Sequence, residues 1–256
     1  MKYMNDGYKN EKEFVQYLNN KKISEVNPLF RELIEYLYKS VDENFKIKSW
    51  KNCCIEKTDI FIKINNITKC ISIKKGSRNS VHTEKINDFI NFLIENKVSE
   101  ENVIEYLKYH FADGTVTGKG RIRESVAEYK IKNQEKIDMI NKEFNRKELV
   151  LKAIERFVLC GKNSKRHIDA LVYGTINDFI WIGREDIEII ILSKINKYST
   201  AVHFGSLICQ SKNRCLNYNP SHEKDRFYIQ IKWYSIFDEI VERMNEKVIE
   251  KYNMTK

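Results

Sequence analysis

Asp59, Ser72 and Lys74 are an acid, a hydroxyl and a cation whose spacing lets one β-hairpin bring them together. A carboxylate offers oxygen to a hard cation such as Mg²⁺, and a neighbouring ammonium steadies an attacking water or a developing negative charge. That is the chemistry of hydrolysis at a phosphodiester. Further along, Glu84 and Asp88 stand four apart, a spacing that puts both on one face of a helix.

A hairpin must position the three. Ile60, Phe61, Ile62 and Ile64 form one β-prone run and Ile67, Cys70, Ile71 and Ile73 another, with Asn65-Asn66 between them able to take the positive φ of a tight turn. With the two asparagines at the tip, Ile64 faces Ile67, Ile60 faces Ile71, and Asp59 faces Ser72. Side chains alternate with period 2, so Lys74 falls on the face of Ser72.

Helical spacing of apolar residues predicts helices over 11–22 and 28–44, the second with Pro28 in its first turn. Residues 84–97, with Ile86, Phe89, Ile90 and Leu93 as the apolar stripe, predict a helix starting at Glu84, and 100–111 predict another. The following segment ADGTVTGKGRIR is glycine-rich and basic. Gly114 and Gly118 are too close, and Gly120 rather than Ser or Thr follows Lys119, so it is not a nucleotide-binding P-loop. A mobile loop whose Lys119, Arg121 and Arg123 touch a phosphate backbone is expected, an inert surface loop being the alternative.

Residues 124–160 read as one long or two short helices, broken near Asn145, forming a largely solvated connector. After it come β-prone runs, HIDALVYG, DFIWIG, IEIIILSK, TAVHFGSLICQ and FYIQIKWYSIF, and a helix from about Phe237 to Lys251. Their flanks carry Lys165, Arg166, Lys212, Asn213 and Arg214, residue types that read base edges and phosphates, although any polar basic surface has the same composition. A second acid and x-Lys pair, Asp169 with Gln230 and Lys232, ranks below the hairpin because no short connection joins its elements.

With 45 Lys and Arg against 36 Asp and Glu, the 256-residue chain carries a net charge of +9, which suits nucleic acid or an acidic membrane surface; a composition that simply favours Lys and Asn would give the same balance. The six cysteines show no CxxC spacing and the five histidines do not cluster with them, which argues against structural zinc. No secretory signal or apolar run long enough for a membrane span is present, so a soluble cytoplasmic protein is expected.

The order helix, strand with Asp, turn, strand ending in x-Lys, helix resembles the PD-(D/E)xK restriction-endonuclease-like superfamily over roughly residues 10 to 97. Asp59 matches the metal-binding Asp and Lys74 the Lys. Thr58 replaces the usual Pro, and Ser72 stands where the family usually has Asp or Glu. Some restriction endonucleases with Ser-x-Lys supply the missing carboxylate from the following helix. The resemblance therefore implies Asp59 and Glu84 as metal ligands, with Asp88 the second choice to Glu84, and an accessory acid at Glu13 or Glu11.

It also implies an α+β or α/β fold, a central mixed sheet flanked by helices, with a β-rich C-terminal region. The expected organisation is a nuclease-like core over 1–123, a helical connector over 124–160, and a basic region over 161–256 that completes the sheet or binds DNA. The implied activity is Mg²⁺-dependent DNA cleavage, Mn²⁺ substituting, by a type II restriction enzyme or a related defence or phage nuclease. Such an enzyme acts as a homodimer without a nucleotide cofactor. A nucleic-acid-binding protein with an inactive core and a structure-selective nuclease are the alternatives.

Overall fold

The structure is a computed structural model that describes residues 6–54, 56–76, 79–162, 164 and 166–254. Two compact units share the chain: one contains 1–77, 158–190 and 235–256, the other 78–157 and 191–234.

The first unit holds helices α1 (Asp6–Leu18) and α2 (Pro28–Tyr38) and strands β1 (Lys48–Lys51), β2 (Ile60–Ile64) and β3 (Ile67–Lys74). Strands β5 (Ala170–Thr175) and β6 (Asp178–Gly183) complete a sheet of order β1-β2-β3-β5-β6. The sheet is mixed, because β3 and β5 run parallel while the other pairs are antiparallel. Ile60 pairs with Ile71 and Ile64 with Ile67, the register expected from the two-asparagine turn, and Asn65 takes the positive φ. One face of the sheet presents Ile60, Ile62, Ile71, Ile73 and Val172 to Phe14, Phe30, Leu33 and Ile34 of the two helices. Pro28 opens α2 behind an Asn27 cap that accepts from the Phe30 amide, as its fixed φ favours.

The second unit is built on an antiparallel sheet of order β4-β9-β8-β7, formed by β4 (Ser80–Lys85), β7 (His203–Phe204), β8 (Leu207–Ser211) and β9 (Tyr228–Lys232). Helices α3 (Ile86–Glu95), α4 (Glu100–Phe111), α5 (Val126–Phe144) and α6 (Lys147–Ile154) contribute an aromatic core in which Phe144 stacks on Phe204 at 4.7 Å and Phe89 packs on Tyr106 at 5.0 Å.

Three expectations about local structure change. IEIIILSK is not a strand: its first six residues, Ile187 to Leu192, end the helix α7 (Arg184–Leu192), with Ile187, Ile190 and Ile191 buried and Ile189 exposed, a helical period that outweighs β-prone composition. Residues 124–160 are not a solvated connector, since Ile137, Ile140, Phe144, Val150 and Ala153 are buried. The break at Asn145 is real, and its side chain donates to His203 O and accepts from Gly205 N. Finally, Glu84 is not at a helix start. Thr83, Glu84 and Lys85 pair with β9, and the helix begins only at Ile86.

Candidate active site

The Asp59 backbone donates to Ile71 O, which places its side chain across from Ser72 at the mouth of the hairpin. Asp59 Oδ2 accepts from Ser72 Oγ at 3.0 Å, the Ile73 amide at 2.6 Å and Lys74 Nζ at 3.1 Å. None of these bonds uses Oδ1. Lys74 Nζ also donates to Ile73 O at 3.2 Å, so the ammonium is held at two points. Ser72 is buried, whereas the Asp59 and Lys74 side chains are 20% and 21% exposed, open enough for a ligand to reach them. The arrangement joins a fixed carboxylate with a spare oxygen to a fixed cation.

The other acids have engagements of their own. Glu84 Oε2 accepts from Arg156 Nη2 at 2.7 Å and lies 3.3 Å from His82 Nε2. Burial pushes its carboxyl pKa up, but the hydrogen bonds and charges of His82 and Arg156 outweigh burial and hold it below the usual value. Glu84 Oε1 is buried without a hydrogen-bond partner among the described residues. Asp88 lies in the first turn of α3, and its backbone carbonyl accepts from Arg156. In α1, Glu13 pairs with Lys9 at 3.8 Å and Glu11 with Lys51 at 2.5 Å. Asp169 is spent inside the first sheet, accepting from Lys69 Nζ and the Cys70 amide.

Several of the residues expected at a nucleic-acid surface have internal partners instead. Arg123 forms two bonds to Glu223 at 2.8 and 2.7 Å. Arg214 is buried, donating to Tyr109 O, with its guanidinium 5.4 and 5.7 Å from the Tyr109 and Tyr129 rings. Lys212 pairs with Asp225 at 2.9 Å, and Asn213 accepts from the Cys215 amide. Lys119 and Arg121 are exposed without an acidic partner among the described residues. Arg166 is exposed, its guanidinium 5.1 Å from the Phe61 ring. Lys165 lies outside the described residues.

The glycine-rich segment is tied down rather than a free loop. Asp113 accepts from the Thr115 and Gly120 amides and from Arg226. A Cβ on Gly120 would sit 1.9 Å from Asp113 O, which explains glycine there.

Sequence reasoning missed strand β1 and with it Trp50, which is 40% exposed and stacks on Phe61 at 5.3 Å. The signal was the alternation Lys48-x-Trp50 opposite Phe61-x-Lys63, readable by the same period-2 arithmetic as the hairpin. Among the described residues, no helix is long and apolar enough to cross a membrane.

No protein-family model matches this chain, and no curated protein matches it in sequence. Among solved structures, it is similar to the restriction endonuclease MspI crystallised with its cognate DNA, with a TM-score of 0.56, 13% identity and 87% of each chain covered. At that identity the likeness is one of architecture, and the chain has a restriction-endonuclease-like fold.

Proposed function

We propose that this protein is a divalent-metal-dependent DNA endonuclease of the type II restriction or related defence class. The observation that carries the reading is the convergence of Ser72, the Ile73 amide and Lys74 on one oxygen of Asp59, in a restriction-endonuclease-like fold. The fold neighbour is a restriction endonuclease bound to its cognate DNA, which favours DNA as the substrate here.

The donor set suits a hard cation. Among the described residues Asp59 Oδ1 is outside the hydrogen-bond set, which leaves a carboxylate oxygen open to a hard cation. Asp59 is assigned as a metal ligand. Bound Mg²⁺, or Mn²⁺ in its place, would polarise the scissile phosphate and acidify a water. Lys74 then serves as the fixed cation that orients the attacking water or offsets charge developing on the phosphate. Ser72 orients Asp59. Cutting both strands takes two sites, for which a homodimer is the simplest arrangement.

A second reading has a specific observation in its favour. The hydroxyl at position 72 is spent on Asp59, so the core could be an inactive nucleic-acid binder. Incubation of purified protein with supercoiled plasmid and Mg²⁺ or Mn²⁺ decides between them. Discrete fragments that disappear with EDTA and in Asp59→Asn support the endonuclease; intact plasmid with retained binding supports the binder. Undiminished cleavage by Lys74→Ala would remove the proposed site. Comparing Glu84→Gln and Asp88→Asn for metal affinity assigns the second acid.

A further inference from the structure

The sheet face that carries Asp59, Ser72 and Lys74 continues along the hairpin into a second feature. Alternation places Phe61 two residues from Asp59 and on the same side, about 7 Å along the strand. Across the β1-β2 pair, Trp50 lies opposite Phe61 and Lys48 opposite Lys63. The Trp50 and Phe61 rings stack with centroids 5.3 Å apart and planes at 28°. Phe61 is buried, and with the guanidinium of Arg166 5.1 Å from its ring it fixes the indole from below, while Trp50 keeps 40% of its surface open.

The lysine pair is the telling part. Like charges directly opposite in an antiparallel sheet repel. Lys48 and Lys63 have no acidic partner among the described residues, and neither does Arg166. Such a pair costs the folded chain stability unless a polyanion neutralises it. Along one face the sheet thus presents, in order, Lys74, the Asp59 carboxylate, an exposed indole on an aromatic base, and two uncompensated lysines.

We infer that this face is a binding track for unpaired nucleic acid, with a nucleobase stacked on Trp50 and its flanking phosphate held by Lys48 and Lys63. The inference rests on the endonuclease reading and refines its substrate: the strand leaving Asp59 is single-stranded or locally unstacked over the β1-β2 surface. A base paired within an intact duplex keeps both of its faces against neighbouring bases and offers none to the indole. An unpaired base stacks on an aromatic side chain whatever its identity, and exposed cations beside the ring follow the backbone. The like-charge pair and the open indole then have one common ligand.

The test uses full-length protein without divalent metal, so that binding is read apart from cleavage. Oligo-dT, oligo-rU of the same length and a blunt duplex are titrated while tryptophan fluorescence and anisotropy of a labelled strand are followed. Of the three tryptophans, Trp233 is fully buried and Trp181 is half-buried against Tyr36, so the part of the quench lost in Trp50→Phe reports stacking on Trp50. Oligo-dT or oligo-rU should quench more than duplex, and the two arms identify the sugar. Trp50→Ala should weaken single-strand binding about tenfold or more, and Trp50→Phe should restore most of it without the quench. Lys48→Gln combined with Lys63→Gln should weaken binding and lower the salt slope by about 1.4, the share of two phosphates, while raising or preserving the melting temperature. A purely structural role for the lysines would not separate affinity from stability in this way. Wild-type affinity in Trp50→Ala, or duplex binding stronger than single-strand binding and indifferent to Trp50, would overturn the track. If the quench and its loss are observed but plasmid stays intact with Mg²⁺ and Mn²⁺, the endonuclease reading falls and the track stands.

Discussion

Lys74 Nζ and the Ile73 amide bond the same oxygen of Asp59, at 3.1 and 2.6 Å, so the cation and the backbone hold the carboxylate in one orientation. Asp59→Asn removes the charge but can keep an oxygen for both donors. It should lower cleavage at least about a hundredfold while costing only about 1 kcal/mol of stability. Lys74→Ala should match that loss of activity with a smaller stability change, because the pair is partly solvated. Plasmid nicking rates and urea denaturation on the same preparations check both.

Ser72 offers a test of metal binding that does not depend on turnover. It is 2% exposed and 3.0 Å from Asp59 Oδ2, so Ser72→Asp would crowd a second carboxylate against the first. Without metal this repulsion and burial should lower the melting temperature by about 5–10 °C. Added Mn²⁺ or Mg²⁺ should recover much of the loss, since a ligand that binds only the folded state stabilises it by mass action. The parent protein should gain less. Equal melting temperatures with and without metal would argue that no cation is held at Asp59.

The hairpin was legible in the sequence because two local rules fix it: a two-residue Asn turn sets the register and period 2 sets the face. Asp59, Ser72 and Lys74 followed from that arithmetic. What could not be read were partnerships across long stretches of chain. Arg123, Arg214 and Lys212 have the residue types of a DNA surface, yet Arg123 bonds Glu223 one hundred residues away and Arg214 is buried against Tyr109. A cation's acid partner leaves no local trace. Glu84 was displaced from its expected helix for a related reason, since β4 exists only through pairing with β9, far along the chain.

Arg226 and Asp113 form a 2.6 Å ion pair whose side chains are 1% and 0% exposed. Asp113 also accepts from the Thr115 and Gly120 amides, and Arg226 donates to Arg214 O and Gly118 O, so the pair pins the glycine-rich segment. Asp113→Ala should cost about 3–5 kcal/mol, most of it from leaving a guanidinium buried without its counterion. Asp113→Asn should cost less, because its amide oxygen still accepts. Asp113→Leu combined with Arg226→Met should recover stability relative to Asp113→Ala, and urea midpoints for the set measure the coupling.

His110 makes the second unit sensitive to acid. It is fully buried, with Nε2 2.8 Å from Arg226 O. Burial depresses its pKa most; the bond to the Arg226 carbonyl acts in the opposite sense, and Arg214 and Arg226 add like-charge repulsion, leaving it at about 4 against an ordinary 6.5. The folded state therefore keeps the ring neutral where the unfolded state protonates it. The sign follows: the contribution is fully present above pH about 6.5 and is lost as pH falls toward 4, at up to about 1.4 kcal/mol per pH unit within that window. His110→Gln keeps a donor for the Arg226 carbonyl without a group that titrates there. Its stability between pH 7 and 4.5 should fall less steeply than the parent's, even if it starts lower. Urea midpoints at several pH values for the two proteins check this, and parallel curves through the window would assign the acid sensitivity to other groups.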